Sequence, residues 1–195
     1  PRGHQDELPP VEQVAAPSQP RFINETMDVT QGKLAVGYRC TSKDYPAMVL
    51  ANLIFGGTSN SKLFLNVREK LSLCYYASSS YARSKNILTV SSGVETGSRD
   101  RALEEIDRQL KAVQTGDWED WEQEGALQAI RSSLLSLSDS QGALENFYLG
   151  QIASGVHETP EELAAELERV TKERIVAAAQ TVHLDTVYFL GGRDA

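Results

Sequence analysis

The sequence predicts an α+β domain, a mostly antiparallel sheet with helices packed on one face. The first observation behind this is the element order read along the chain, β-β-α-α-β-β-α-α-α-α-α-β, in which strands and helices do not strictly alternate. The second is that the strands come in sequence-adjacent pairs joined by short turn signals, which favours antiparallel neighbours over crossovers. The third is that no fixed-period repeat runs through the chain, which sets solenoids aside.

Residues 1–20 carry Pro9, Pro10, Pro17 and Pro20 with little periodicity, and read as a Pro-rich linker or strap ahead of a domain spanning 21–192. A strand is expected over 22–30, where Phe22, Asn24, Thr26 and Asp28 alternate with Ile23, Glu25, Met27 and Val29. Gln31-Gly32 signals a turn, and Lys33 to Cys40 reads as a second strand with Leu34, Val36 and Tyr38 on one face, so the two are expected to form a hairpin. A helix follows over 44–55, stopped by Gly56-Gly57, and another over 61–69, with Leu63, Phe64 and Val67 at helical spacing. Strands are expected at 74–82 and 87–94, turning at Ser84-Lys85-Asn86.

The next stretch is helical. Ser98 is expected to cap a helix with Leu103, Ile106, Leu110 and Val113 on its buried stripe, ending at Gly116. Helices over 118–138 and 140–154 come after it. Thr159-Pro160-Glu161-Glu162 is a strong helix start, with a capping threonine, proline at the first helical position and acids behind it. Thr171 caps a last helix through Ala179, and Val187 to Leu190 closes the chain as a strand before Gly191-Gly192.

The 195 residues suffice for one domain with a core that needs no disulfide staple. A net charge of −8 disfavours nucleic acid, and weakly disfavours an acidic membrane surface. No apolar run reaches the ~18 residues of a membrane span, and no basic segment followed by an apolar one opens the chain as a signal peptide would. Opening on Pro1 reads as a segment of a longer chain. Cys40 and Cys74 form no CxxC pair and sit in apolar strand-like runs; one disulfide is open to them, but buried free thiols and a reducing cytoplasm are the default.

The histidines, His4, His157 and His183, show no second histidine at the spacing of a zinc site on a helix. His4-Gln5-Asp6-Glu7-Leu8 imitates an inverted zinc motif until Leu8 stands where a histidine belongs. His183 is placed at the end of the last helix, where a histidine complements the dipole. Cys74 has no histidine near in sequence and is a poor nucleophile. No Gly-x-Ser-x-Gly elbow or phosphate loop occurs, so no catalytic residue is assigned. Trp118 and Trp121, three apart, suit core packing or a partner surface equally.

The segment from Phe55 to Tyr81 carries the most specific signal. Gly56-Gly57, Ser61-Lys62-Leu63-Phe64, Val67-Arg68-Glu69-Lys70, Leu73 and Tyr75 follow one another at set spacings. This run resembles the pitrilysin/insulinase family of zinc peptidases, in particular its non-catalytic C-terminal domain, and the element order over residues 21–192 matches that domain as well. The resemblance implies a domain that binds no zinc itself and faces a zinc-bearing domain, in the same chain or on a second subunit, across a peptide substrate. It also implies that Arg68 and Tyr75 contact the substrate carbonyl or the tetrahedral intermediate. The chemistry suits such a task, since guanidinium and phenol donors aimed at a developing oxyanion lower its barrier.

Taken without the resemblance, an Arg-Glu-Lys run at a helix end is commonly a solvated face, and a tyrosine entering a strand is commonly half-buried packing. Tyr76 rivals Tyr75, because strand alternation sends the two to opposite faces and leaves one for a cleft. Ser72 departs from the family, which usually has glycine there; the position is expected to need an unusual backbone conformation. A second function class stands beside the first, a structural or peptide-binding scaffold domain of an inactive family member.

Overall fold

The computed structural model describes residues 14–192. Five strands form one sheet: β1 (Arg21–Met27), β2 (Gly32–Cys40), β3 (Cys74–Ala82), β4 (Ile87–Val94) and β5 (Val182–Gly192), in spatial order β1-β5-β2-β4-β3. The pairs β2–β4, β2–β5 and β3–β4 are antiparallel, and β1–β5 is parallel. The expected α+β architecture is what the chain adopts.

Among the described residues six α-helices accompany the sheet: α1 (Tyr45–Asn52), α2 (Arg99–Thr115), α3 (Asp120–Leu135), α4 (Gln141–Ala153), α5 (Pro160–Glu168) and α6 (Lys172–Ala179). Alternation along β2 sends Leu34, Val36, Tyr38 and Cys40 inward, where they meet α1, α2 and α6 as one continuous core. Helix starts follow the sequence signals closely. Thr159 and Glu162 close a reciprocal capping box on α5, and the Thr171 hydroxyl accepts from Arg174 N–H on α6. Gly116 ends α2 at φ +77°, a conformation glycine adopts without a Cβ penalty. Ser98 occupies the N-cap position of α2, yet its side chain makes no capping bond, because a 3₁₀ turn over Thr96–Ser98 precedes the helix.

Three expectations are corrected. The first two strands form no hairpin, because β5 lies between them. Gly191 and Gly192 pair with Thr26 and Met27 at the point where the chain crosses from β1 to β2. A Cβ on Gly192 would sit 2.7 Å from the Val29 carbonyl oxygen, so only glycine lets the crossing pass so close. The closing strand begins at Val182 rather than Val187; a bulge leaves Asp185 unpaired between Leu184 and Thr186 and breaks the alternation. His183 accordingly lies in β5, exposed and opposite Arg39, not at a helix end.

Beside β3, α1 passes directly into a π-helical turn over Leu53–Gly57, and Leu63–Lys70 is π-helical throughout. The Ser79 hydroxyl, on β3, donates to the Asn52 side-chain oxygen (2.8 Å) where the α-helix gives way to the wider turn. Gly56 packs there against β3; a Cβ on it would lie 2.8 Å from the Ser79 nitrogen. The Pro-rich leader falls largely outside the described residues, as does His4.

Candidate functional site

The π-helical segment Leu63–Lys70 seats Leu63 and Val67 in the core and turns Arg68 outward, its side chain 41% exposed. The helix is closed by Ser72 at φ +49°, the left-handed conformation expected at this glycine position. Ser72 N–H donates to Arg68 C=O (3.1 Å) and Leu73 N–H to Val67 C=O (3.0 Å), reversing the chain within three residues. Leu73 then drops into the core, and β3 begins at Cys74.

A bulge opens β3. Cys74 pairs with Val94 and Tyr76 with Gly93, which leaves Tyr75 as the extra, unpaired residue. Simple alternation therefore fails here, and both tyrosines are exposed, Tyr75 at 59% and Tyr76 at 39%. Their settings differ. Tyr76 lies on the outer sheet face over Gly93, where an added Cβ would meet its ring at 2.6 Å, with the Lys33 ammonium 5.4 Å from its ring centre. Tyr75 turns toward the helix end, and with Arg68, Glu69, Ser72, Cys74 and Glu95 borders an open depression of about 380 Å³. Arg68 also borders a neighbouring depression of about 320 Å³, with Gly57, Phe64 and Tyr76. The structure thus brings Arg68 and Tyr75 to one hollow and places Tyr76 beside a second that shares Arg68.

Within the first hollow the Tyr75 hydroxyl donates to Glu95 Oε1 (3.4 Å). Arg68 pairs through Nε with Glu69 Oε1 (3.4 Å) and lies over the Phe64 ring (4.7 Å). Its ion pair uses Nε, and the two Nη groups carry its other N–H donors. Glu95 was not singled out in the sequence; it enters the site because β4 ends beside the β3 bulge, a register that no local pattern encodes. Cys74 lines the same hollow, but burial pushes its thiol up, against the hydrogen bond with Ser92 and the pull of Arg68.

Lys62, inside the matched Ser-Lys-Leu-Phe run, plays a different part. It is buried and ion-paired to Glu122 on α3 (Nζ–Oε1 3.1 Å), so it holds the helix rather than facing a ligand. Trp118 is core, with the Lys172 ammonium over its ring at 4.6 Å, whereas Trp121 is exposed. His157 is exposed in the loop before Thr159. Among the described residues, no group of three or more His, Cys, Asp and Glu side chains could hold a metal ion. No helix among them is long and apolar enough to cross a membrane.

Known proteins share this fold and part of the sequence. The chain is 41% identical over 180 residues to the Bacillus subtilis protein described as probable inactive metalloprotease YmfF, covering 90% of this chain and 42% of that one. A conserved protein of solved structure from Enterococcus faecalis V583 superposes with a TM-score of 0.87 at 30% identity, over 94% of this chain and 44% of its own. The peptidase M16 inactive domain from Pseudomonas fluorescens shares the fold, with a TM-score of 0.77 at 20% identity over 95% of this chain and 46% of that one. The chain spans less than half the length of each of these proteins. The sequence model of one family, described as the peptidase M16 inactive domain, matches residues 2–130. That match spans more than half of the chain and takes in the whole run from Gly56 to Tyr75, and on it the chain belongs to the peptidase M16 inactive domain family.

Proposed function

We propose that this domain is the non-catalytic half of a bipartite zinc metallopeptidase, and that Arg68 and Tyr75 hold the substrate carbonyl opposite a zinc-bearing domain. The observation that carries the reading is the shared hollow, where a guanidinium and a phenol on one tight turn border a single open depression. A peptide carbonyl lying there meets the Arg68 cation and, once the phenol turns from Glu95 to the substrate, a hydroxyl donor. Both gain strength as the oxygen becomes an oxyanion, which is the condition for lowering the barrier rather than only binding substrate. The zinc, its ligands and the general base belong to the partner domain, in the same chain or on a second subunit. The two buried free cysteines suit a cytoplasmic setting.

The test is peptide hydrolysis by the full-length parent assembled with its zinc-bearing half, with and without Arg68→Ala. Turnover is expected to fall by roughly 10²–10³-fold with the fold intact. Unchanged turnover would remove Arg68 from the chemistry.

A second reading has its own support, since the relative at 41% identity is described as a probable inactive metalloprotease. In that reading the same hollow holds or presents a peptide without cleaving it, and the domain is a scaffold. Absence of turnover in every combination, with the two halves still associating, would select it.

A further inference from the structure

Helix α4 differs from the other helices. Its thirteen residues include Leu144, Phe147, Tyr148, Leu149 and Ile152, yet only Gln151 is buried. Tyr148, Leu149 and Ile152 are 42%, 55% and 53% exposed, and Leu135, at the end of α3, is 68% exposed. The helix is nonetheless held in place. The Ser140 hydroxyl accepts from Ala143 N–H (3.4 Å), and Gln151 Oε1 accepts from Glu158 N–H (3.4 Å). Phe147 and Gly150 border Tyr45 and Arg83 at the far end of β3. An apolar face on a fixed helix marks an interaction surface.

The chemistry of the face narrows what covers it. Between Gln141 and Ala153 the sole charged residue is Glu145. Helices that lie on membranes carry a Lys/Arg-rich polar face, and α4 has no basic residue at all. A second copy would bring together two chains of net charge −8. The chain accounts for 42–46% of the relatives above, so in each of them more than half of the protein lies outside the matched region. A domain joined to this one by a linker meets α4 at high effective concentration and needs only a modest interface to stay docked.

The structure assigns α4 as the surface on which the zinc-bearing domain packs through a charge-poor apolar patch. This rests on the bipartite reading above. It also adds a geometric consequence. Tyr75, near the start of β3, and Arg83, just past its end, lie about 26 Å apart at ~3.3 Å per residue, so a domain that reaches both Arg68 and α4 spans the length of that edge strand. Contact at α4 holds the two halves together at a distance from the reacting carbonyl.

The test uses the full-length parent with a protease site inserted ahead of Val14, cleaved and run on size exclusion; where the zinc-bearing half is a separate subunit, the two are mixed. The wild-type halves are expected to co-elute. Leu149→Asp with Ile152→Asp, at exposed positions that leave circular dichroism and melting unchanged, is expected to weaken association at least tenfold. Co-elution of the variant at wild-type affinity would overturn the assignment. So would separation of the wild-type halves, or a dimer of this domain that the variant breaks, which would make a second copy the occupant. Arg68→Ala is the control: it is expected to co-elute normally, and loss of turnover with association intact tests the substrate role separately.

Discussion

Lys62 and Glu122 form an ion pair with both side chains about nine-tenths buried, the Lys62 nitrogen lying 3.1 Å from one carboxylate oxygen and 3.5 Å from the other. Glu122 also accepts from Glu119 N–H (2.9 Å) and so closes the capping box of α3. One carboxylate therefore ties the π-helical segment that carries Arg68 to the start of the neighbouring helix. Glu122→Ala leaves an ammonium buried without a partner and removes a cap, and is expected to destabilise the domain by about 3–5 kcal/mol. Lys62→Met with Glu122→Gln removes both charges and is expected to recover much of that loss, because the desolvation cost of the pair disappears with it. Urea denaturation of the single and the double variant checks both values.

Ser72 holds φ at +49°, where a Cβ is crowded against the backbone. Ser72→Gly is expected to raise stability by up to about 1 kcal/mol, the left-handed penalty less the entropy that glycine adds to the unfolded chain. Ser72→Val is expected to lower it, since a β-branched residue is least tolerant there. Chemical denaturation midpoints give the answer, and a destabilised glycine variant would mean that the Ser72 side chain contributes more than its backbone costs.

Tyr75 and Tyr76 are separable by function. Tyr75→Phe removes the hydroxyl that borders the Arg68 hollow, and is expected to reduce turnover of the assembled peptidase by about tenfold or more. Tyr76→Phe keeps the ring over Gly93 and is expected to leave turnover within about twofold. Equal loss in both variants, measured as kcat at saturating peptide, would show that the two hollows act as one.

Asp185 titrates well below an ordinary aspartate, its folded pKa brought down to about 2 by the Thr186 hydroxyl and then by Arg39, with Arg21 adding a third donor. The shift is downward, so this contribution is complete above the unfolded value near 4 and is lost as pH falls through about 2. It amounts to about 2 kcal/mol for a side chain this well covered. Asp185→Asn is expected to cost that much at pH 7 and to approach wild type only as pH falls below about 2, a convergence that denaturation at several pH values would reveal.

Cys40 and Cys74 are both buried, and burial, working against a backbone hydrogen bond at Leu88, pushes the Cys40 thiol up to about 11. Neither is expected to react with a thiol reagent in the native state, and both are expected to react in urea. Two equivalents released at once from the native protein would contradict the packing around β2 and β3.

Local signals reached far into this fold. Strands β3 and β4 lie at the expected 74–82 and 87–94, and Thr159, Thr171 and Gly116 bound helices as their side-chain and backbone preferences dictate. The Gly56 to Tyr75 run was legible as one unit because its spacings are sequential. The position of Ser72 foretold an unusual backbone, and the chain adopts one.

What the sequence determined by itself was therefore the α+β class, the capped starts of α5 and α6, the stop of α2 at Gly116 and the turn that carries Arg68, Ser72 and Tyr75, the last three set by contacts between residues close along the chain. Only the tertiary structure decided that β5 enters between β1 and β2, that bulges free Tyr75 and Asp185, that Lys62 pairs with Glu122, and that α4 keeps its apolar face outward. Those outcomes depend on strand register and on partners many tens of residues away. Their energies come from burial and long-range pairing, and hydrophobic periodicity in one segment carries no record of either.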